Sequence, residues 1–464
     1  MSGSSFSATA VVAMLADRPW LAIAVSLVAF GALIVGLLIY SRVGSPDSES
    51  VRKMFHVGSG LLTLAFPFLF VDLWPVLILT GLSAALVGAI QVVPAMRHQL
   101  GSVLGGERRM TFGEVAFPIS VALVFWIARH HTPLLYCIPI LVLTLADATG
   151  AIVGKRFGRH KFTGASKSLE GSIAFVVVAF FCVAVPLELW GGIDHVKTLL
   201  IAITLALLVM LLEGSAWQGL DNLFIPIGGC LILRVWLGLG VEALLARFLV
   251  TVALVVVVLV FRHRTTLEDD SLLAAAFFCY VTWALVGNRW LVPPAVAFVG
   301  FAWMSPPTSQ NSVRIHDVGA VLSVWLVAIA WVALAHRDAD LALLYPYTIV
   351  FAAHLAIFGT SRRAGDFPSR GVAELAVVAV LRSWLMMFVP FVAMLGATMS
   401  NIGMAVGAIG PIAIAVMLFV KMQQGIRDTP ITRARWIRQA ASAALGSVAG
   451  WAIQLVVARC CAGT

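Results

Sequence analysis

The chain has 464 residues, of which 61% are hydrophobic and only 11% charged, and its mean hydropathy is +1.00. A soluble domain carries about 25% charged residues, so this composition excludes a soluble enzyme and indicates a protein made mostly of membrane segments. The net charge of +9 is not a nucleic-acid footprint, because its distribution follows membrane topology.

Apolar stretches near the length needed to cross ~30 Å of hydrocarbon recur at 20–41, 54–71, 75–94, 114–128, 133–153, 172–191, 197–213, 222–240, 243–261, 271–287, 290–304, 318–335, 340–358, 372–396, 401–420 and 439–458. These predict an all-α polytopic membrane protein of about sixteen helices, or fourteen to fifteen if the proline-broken stretches do not span. Of the 31 Lys and Arg residues, 22 fall in loops after odd-numbered spans. By the positive-inside rule those loops are cytoplasmic, and both termini are expected outside. The expected location is a bacterial cytoplasmic membrane.

Residues 8–15 are apolar but short and follow no basic segment, so no cleavable signal is expected. The six cysteines show no CxxC spacing, so neither a zinc site nor a disulfide framework is expected. The adjacent Cys460-Cys461 reads as tail or as a lipidation site. The charged loop Phe261–Asp270 divides the chain into a membrane domain over 1–261, which holds every dense polar cluster, and a second helical domain over 262–464 of unassigned role. No internal repeat relates the halves. Short loops leave chemistry only at helix ends or between helices.

Four polar clusters lie on the predicted cytoplasmic side. The first is Arg52-Lys53-Met-Phe-His56 with Gly58 and Gly60, in which Arg52 and His56, four apart, share a helix face. The second is Arg108-Arg109-Met-Thr111-Phe-Gly113-Glu114. The third runs from Asp147 to Gly171 and holds Lys155, Arg156, Arg159, Lys161 and Lys167 interleaved with Gly154, Gly158 and Gly164, then Glu170. The fourth is Glu213-Gly-Ser215 followed by Asp221-Asn222 and Pro226. An acid inside a membrane helix usually serves a site. Asp147 reads as a Mg²⁺ ligand or general base, against the alternative of an ion pair with a neighbouring helix.

The loop cations read as polyphosphate contacts, with glycines admitting backbone N–H groups to phosphate. They also suit simple orientation on anionic lipid. Glu170 and Asp221 stand at helix starts, where dipole and capping roles compete with metal binding. His56 reads as a base, a phosphate donor or a packed ring. Neither a P-loop nor a dinucleotide fingerprint occurs. In the second half, Arg382 lies inside a span and is expected to pair with an acid such as Glu374 or to snorkel, and His354 reads as a packed ring.

In this order the clusters resemble the CTP-dependent lipid-alcohol kinases, the family of phytol, farnesol and dolichol kinases. The matching pieces are Arg52-Lys53-x-x-His56, Asp147-Ala-x-Gly150-x-x-x-Gly154-Lys-Arg-Phe-Gly158, Lys167-Ser168-x-Glu170-Gly171-Ser172, and Glu213 followed by Asp221-Asn222-x-x-x-Pro226. They cover residues 50–230. The resemblance implies CTP and Mg²⁺ as donor and cofactor, and a membrane isoprenoid alcohol as acceptor. Asp147, His56 and Glu170 are the candidate catalytic residues. Asp147, Glu170, Asp221 and Glu213 are the candidate metal ligands. Arg52, Lys53, Lys155, Arg156, Arg159, Lys167, Gly154, Gly158, Gly171 and Asn222 are the candidate nucleotide contacts.

Two features depart from the pattern or extend it. Ala146 stands where the family often has glycine. The Asp147-Ala-Thr-Gly-Ala stretch also looks like phosphatidate cytidylyltransferase, a related family, whose closing Pro-Gly-His-Gly-Gly signature is absent here. Cytidylyl transfer is thus the second reading, and a transporter the third.

Overall fold

The structure, a computed structural model, describes residues 8–44, 48–93, 113–162, 167–215, 219–262, 264–304, 316–423, 426 and 432–462. Arg108, Arg109, Thr111 and Gly164 lie outside the described residues. The described chain is helical throughout, with two isolated β-bridges and no strand. It divides into two compact units, Met1–Thr251 and Val252–Thr464.

In the first unit the helices are α1 (Ala8–Ala16), α2 (Pro19–Gly44), α3 (Ser48–Thr63), α4 (Phe66–Leu69), α5 (Leu73–Val92) and α6 (Gly113–Ala128). There follow α7 (Leu134–Leu141), a π-helical turn (Val142–Ala146), α8 (Asp147–Phe157), α9 (Leu169–Trp190), α10 (His195–Gly214), α11 (Asp221–Trp236) and α12 (Val241–Phe261), which runs past the unit's end.

Local chemistry sets several of these boundaries. Pro19 opens α2, where its fixed φ suits a first helical residue. Ser168 caps α9 by accepting from Gly171 N at 3.2 Å, and Asp194 caps α10 by accepting from Val196 N and Lys197 N; each satisfies amides that have no intrahelical partner. Tyr136 ties α7 to the end of α3 by donating to Thr63 O at 3.0 Å. Its ring meets Phe125 of α6 edge-on.

The second unit holds α13 (Asp269–Val286), α14 (Val292–Met304), α15 (Val318–Asp338), α16 (Leu344–Asp366), α17 (Val372–Leu395), α18 (Met399–Gly407), α19 (Ile409–Met422) and α20 (Arg433–Ala462). α16 is buried over most of its length, as expected of a helix apolar on every side. Tyr347, Phe351, Phe388, Phe391 and Phe419 fill the core around it. Tyr347 donates to Trp290 O at 3.1 Å, and Trp331 Nε1 donates to Ser447 Oγ at 3.1 Å. His354 is buried with Nδ1 2.8 Å from Val350 O, a packed ring as expected.

Among the described residues, eleven helices are long and apolar enough to cross a membrane, so the protein is an integral membrane protein. The other five expected spans also fold as helices. Four are short: α3 at 16 residues, α6 at 16, α11 at 16 and α14 at 13. The fifth, α20, carries Gln439, Ser442, Ser447 and Gln454 among its apolar residues. One expected pairing is corrected. Glu374 binds Arg370, one turn earlier on the chain, at 3.0 Å, so Arg382 is not its partner.

Candidate active site

The site is built around the break between α7 and α8. The π-helical turn Val142–Ala146 ends at Asp147, and such turns re-aim the residues that follow them. α3 lies directly on this turn. A Cβ at Gly60 would sit 2.1 Å from Thr144 Oγ1, so only glycine permits the approach. One turn before Gly60, His56 Nε2 is 3.2 Å from Leu143 O and 3.8 Å from Asp147 Oδ2. Lys53, three residues earlier, donates from Nζ to Asp147 Oδ2 at 2.7 Å. Asp147 is only 8% exposed, so its charge depends on these partners. The His56 ring is fixed from a further side by Phe117, edge-on at 5.4 Å.

Arg52 and His56 share a face of the helical α3, as their spacing predicts, and Lys53 and His56 are the pair that reaches Asp147. Spacings of three and four residues both place side chains together on a helix, and sequence does not distinguish them.

Lys167 supplies the second anchor. The chain on either side of residues 163–166 pairs as a hairpin: Phe162 N donates to Lys167 O at 2.9 Å, Leu169 N to His160 O at 3.0 Å, and Lys161 and Ser168 form an antiparallel bridge. Buried Phe162 anchors the hairpin. Lys167 Nζ, held at its base, is 2.8 Å from Glu213 Oε1 and also donates to Glu213 O at the end of α10. Burial works against the charge on Lys167. Glu213, Asp221 and Asp147 together outweigh it and raise its pKa above the ordinary lysine value. Asp221 also acts on His56. Asp147, Glu213 and Asp221 therefore share one electrostatic cluster with Lys53, His56 and Lys167, drawn from α3, α8, the hairpin, α10 and α11.

The remaining candidates sit outside that cluster. Glu170 is engaged with His160, whose Nδ1 is 2.7 Å from Oε1 and whose backbone N–H donates to both carboxylate oxygens at 3.2 and 3.3 Å. This pair clasps the hairpin. Lys155 pairs with Glu49 at 2.6 Å on an exposed surface. Arg156 lies over the Phe157 ring, 5.9 Å from its centroid, and Arg159 is exposed. Asn222 Nδ2 donates to Gly113 O at 2.8 Å and pins the start of α11 to the start of α6.

The glycines do packing work. A Cβ at Gly171 would lie 2.8 Å from Gly150 O and 3.0 Å from Gly154 Cα, and one at Gly158 would lie 2.2 Å from Gly154 O. They let α8 and α9 cross closely, as small residues do in membrane helix pairs. Gly60, Thr144, His160 and Phe162 shape the site without having been assigned a role from sequence. Gly60 and His160 stood inside the polar clusters, but no spacing marks Thr144 or Phe162.

Fold and site together describe a polytopic membrane protein with a cluster of charged groups gathered at helix ends. Comparison with known proteins gives the family. The chain is 30% identical over 226 residues to the phytol kinase of Synechocystis, covering 47% of this chain and 94% of that protein. It is 32% identical over 114 residues to the dolichol kinase of Saccharomyces cerevisiae, covering 24% of this chain and 22% of the relative. It is also 32% identical over 89 residues to the dolichol kinase of Schizosaccharomyces pombe, covering 19% of this chain and 17% of the relative. The chain belongs to the family of membrane lipid-alcohol kinases. No family model and no solved structure matches it.

Proposed function

We propose that the first unit transfers the γ-phosphoryl group of CTP to the hydroxyl of an isoprenoid alcohol of phytol or polyprenol type, with Mg²⁺, on the cytoplasmic side of a bacterial cytoplasmic membrane. The convergence of Asp147, Glu213 and Asp221 on Lys167 carries this reading. Three carboxylates face two lysines there, which leaves the cluster short of positive charge before any ligand arrives. Mg²⁺ takes one or two carboxylates and completes its octahedron with water and phosphate oxygens. Among the described residues no group of three His, Cys, Asp or Glu side chains forms a complete metal cage, and a nucleotide-borne ion does not need one. Asp147 and Asp221 are the residues that would hold the ion, which when bound neutralises phosphate charge.

The protein's own groups then have definite tasks. Phosphate oxygens compete with Asp147 for Lys53 and with Glu213 for Lys167. Lys155, Arg156 and Arg159 stand at the exposed rim, where the triphosphate enters. His56 donates from Nε2 to Leu143 O, an assignment made from the bond itself. Nδ1 then carries the lone pair and accepts the alcohol's proton. Phosphoryl transfer needs chiefly positioning and charge neutralisation, and these groups supply both. The alcohol reaches the site from the bilayer, its tail remaining among lipid.

Membranes containing the protein, given phytol or farnesol and CTP labelled at the γ or α phosphate, test this. Label from γ and none from α should enter the lipid, with loss of transfer on chelation of divalent ions. α label in the lipid, with release of pyrophosphate, would instead establish cytidylyl transfer.

A further inference from the structure

In the second unit, Arg382 is the eleventh residue of the 24-residue helix α17. At ~1.5 Å rise per residue it lies about 15 Å along the helix, from where a long side chain snorkels towards the helix end at which Arg363 stands. Arg382 is exposed, and its neighbours Leu381 and Leu385 are 43% and 50% exposed on the same helix, so this face looks onto lipid. A guanidinium at such depth is costly unless an anion meets it. Instead, a second arginine stands beside it. Arg363, from the last turn of α16, lines the same cleft and is repelled by Arg382.

The neighbouring acids are committed elsewhere. Asp366, which also acts on Arg363, is 3.7 Å from Arg362, and Glu374 is 3.0 Å from Arg370. Among the described residues neither Arg363 nor Arg382 makes an ion pair with a carboxylate at contact distance. Gly359 and Ser383 also line the cleft, as does Trp303, which is 68% exposed. An exposed tryptophan beside basic groups marks the headgroup level of a membrane.

We propose that Arg363 and Arg382 bind the headgroup of a lipid phosphomonoester. Two guanidiniums offer parallel N–H forks that match phosphate oxygens. A phosphomonoester carries about −1.5 to −2 charge near neutral pH and balances both, whereas a phosphodiester leaves one uncompensated. Basic pockets between membrane helices take lipid headgroups in this way. A lipid phosphomonoester is also the chemical class of product that a lipid-alcohol kinase releases into its membrane. The inference rests on that family membership and not on the choice of nucleotide.

The test uses the purified full chain with phosphatidate and phosphatidylglycerol of equal acyl chains, and counts bound lipid by native mass spectrometry. The wild type should hold phosphatidate about tenfold or more over phosphatidylglycerol, the low end for one charge-assisted hydrogen bond. Arg363→Gln/Arg382→Gln should erase that preference while kinase turnover stays unchanged. Arg363→Lys/Arg382→Lys, which keeps charge and loses the forks, should retain only part of it, and carries the test if the glutamine pair fails to fold. Equal binding of the two lipids by the wild type would overturn the proposal. So would a preference that survives in the folded glutamine pair or is undiminished in the lysine pair.

Discussion

Asp147→Asn separates chemistry from structure at the centre of the site. The substitution keeps the side chain's shape and removes the charge that Lys53 meets at 2.7 Å. Asp147 is 8% exposed, so the bond is shielded and contributes about 1.5–3 kcal/mol as a charge-assisted pair. At about 2–4 °C per kcal/mol for a unit of this size, the unfolding temperature should fall by about 3–12 °C. Turnover should fall further, by about 10²–10³ or more, the range seen when one preorganised electrostatic contact is removed. Lys53→Met is the matched control: it breaks the same bond from the other side and leaves the carboxylate. Thermal unfolding followed by size-exclusion chromatography gives stability, and γ-labelled CTP with saturating phytol gives turnover. Turnover within twofold of wild type in Asp147→Asn would remove Asp147 from the mechanism. Equal losses of turnover in the two variants, each matched by loss of folded protein, would reduce it to a structural ion pair.

The two cationic regions should behave differently. Lys167→Gln should raise the KM for CTP about tenfold or more with little change for the lipid, while Lys155→Gln, whose partner Glu49 is exposed, should change either KM less than twofold; the reverse order would place the triphosphate elsewhere. Gly171→Ala should destabilise the first unit by about 1–3 kcal/mol, because its Cβ would meet backbone of α8 at 2.8 and 3.0 Å, and an unchanged unfolding temperature would refute the close crossing. His316 in the second unit is held at a pKa of about 4 by burial and by the charge of Arg435. The unfolded chain takes up that proton near 6.5, so stability is full above about 6.5 and falls by up to about 3 kcal/mol as pH drops towards 4. His316→Gln should flatten that fall in a melting series from pH 7.5 to 4.5, and an unaltered slope would sink the assignment.

The helices were legible because a span needs only length and apolarity, and both are written residue by residue. Their adequacy was less legible. Against the expected 54–71, 222–240 and 290–304, α3 ends at Thr63, α11 ends at Trp236 and α14 begins at Val292, while α6 keeps its expected length. Which loops carry the charge was also readable, since the Lys and Arg count needs no geometry. Pairing was not. The sequence offers Arg52 and Lys53 side by side, and only the lie of α3 on the π-helical turn selects Lys53 for Asp147. Pro139 stands in the helix just before that turn, and the turn leaves no periodic signal.

The same limit explains the glycines and Glu170. Gly-rich backbone beside cations reads as a phosphate cradle, yet a glycine is needed equally wherever two helices touch. Gly171 meets Gly150 and Gly154 across α8 and α9, contacts between residues 21 and 17 positions apart that no local pattern encodes. Their effect on the site is indirect but strong. The close crossing fixes Ser168 as the cap of α9, the cap fixes the base of the hairpin, and the hairpin, clasped by Glu170 and His160, delivers Lys167 to Glu213 and Asp221. A motif of glycines, lysine and acid thus acts less as a list of ligands than as a brace. Most of its residues hold still the few, Asp147 and Lys167 above all, that form the buried charged cluster.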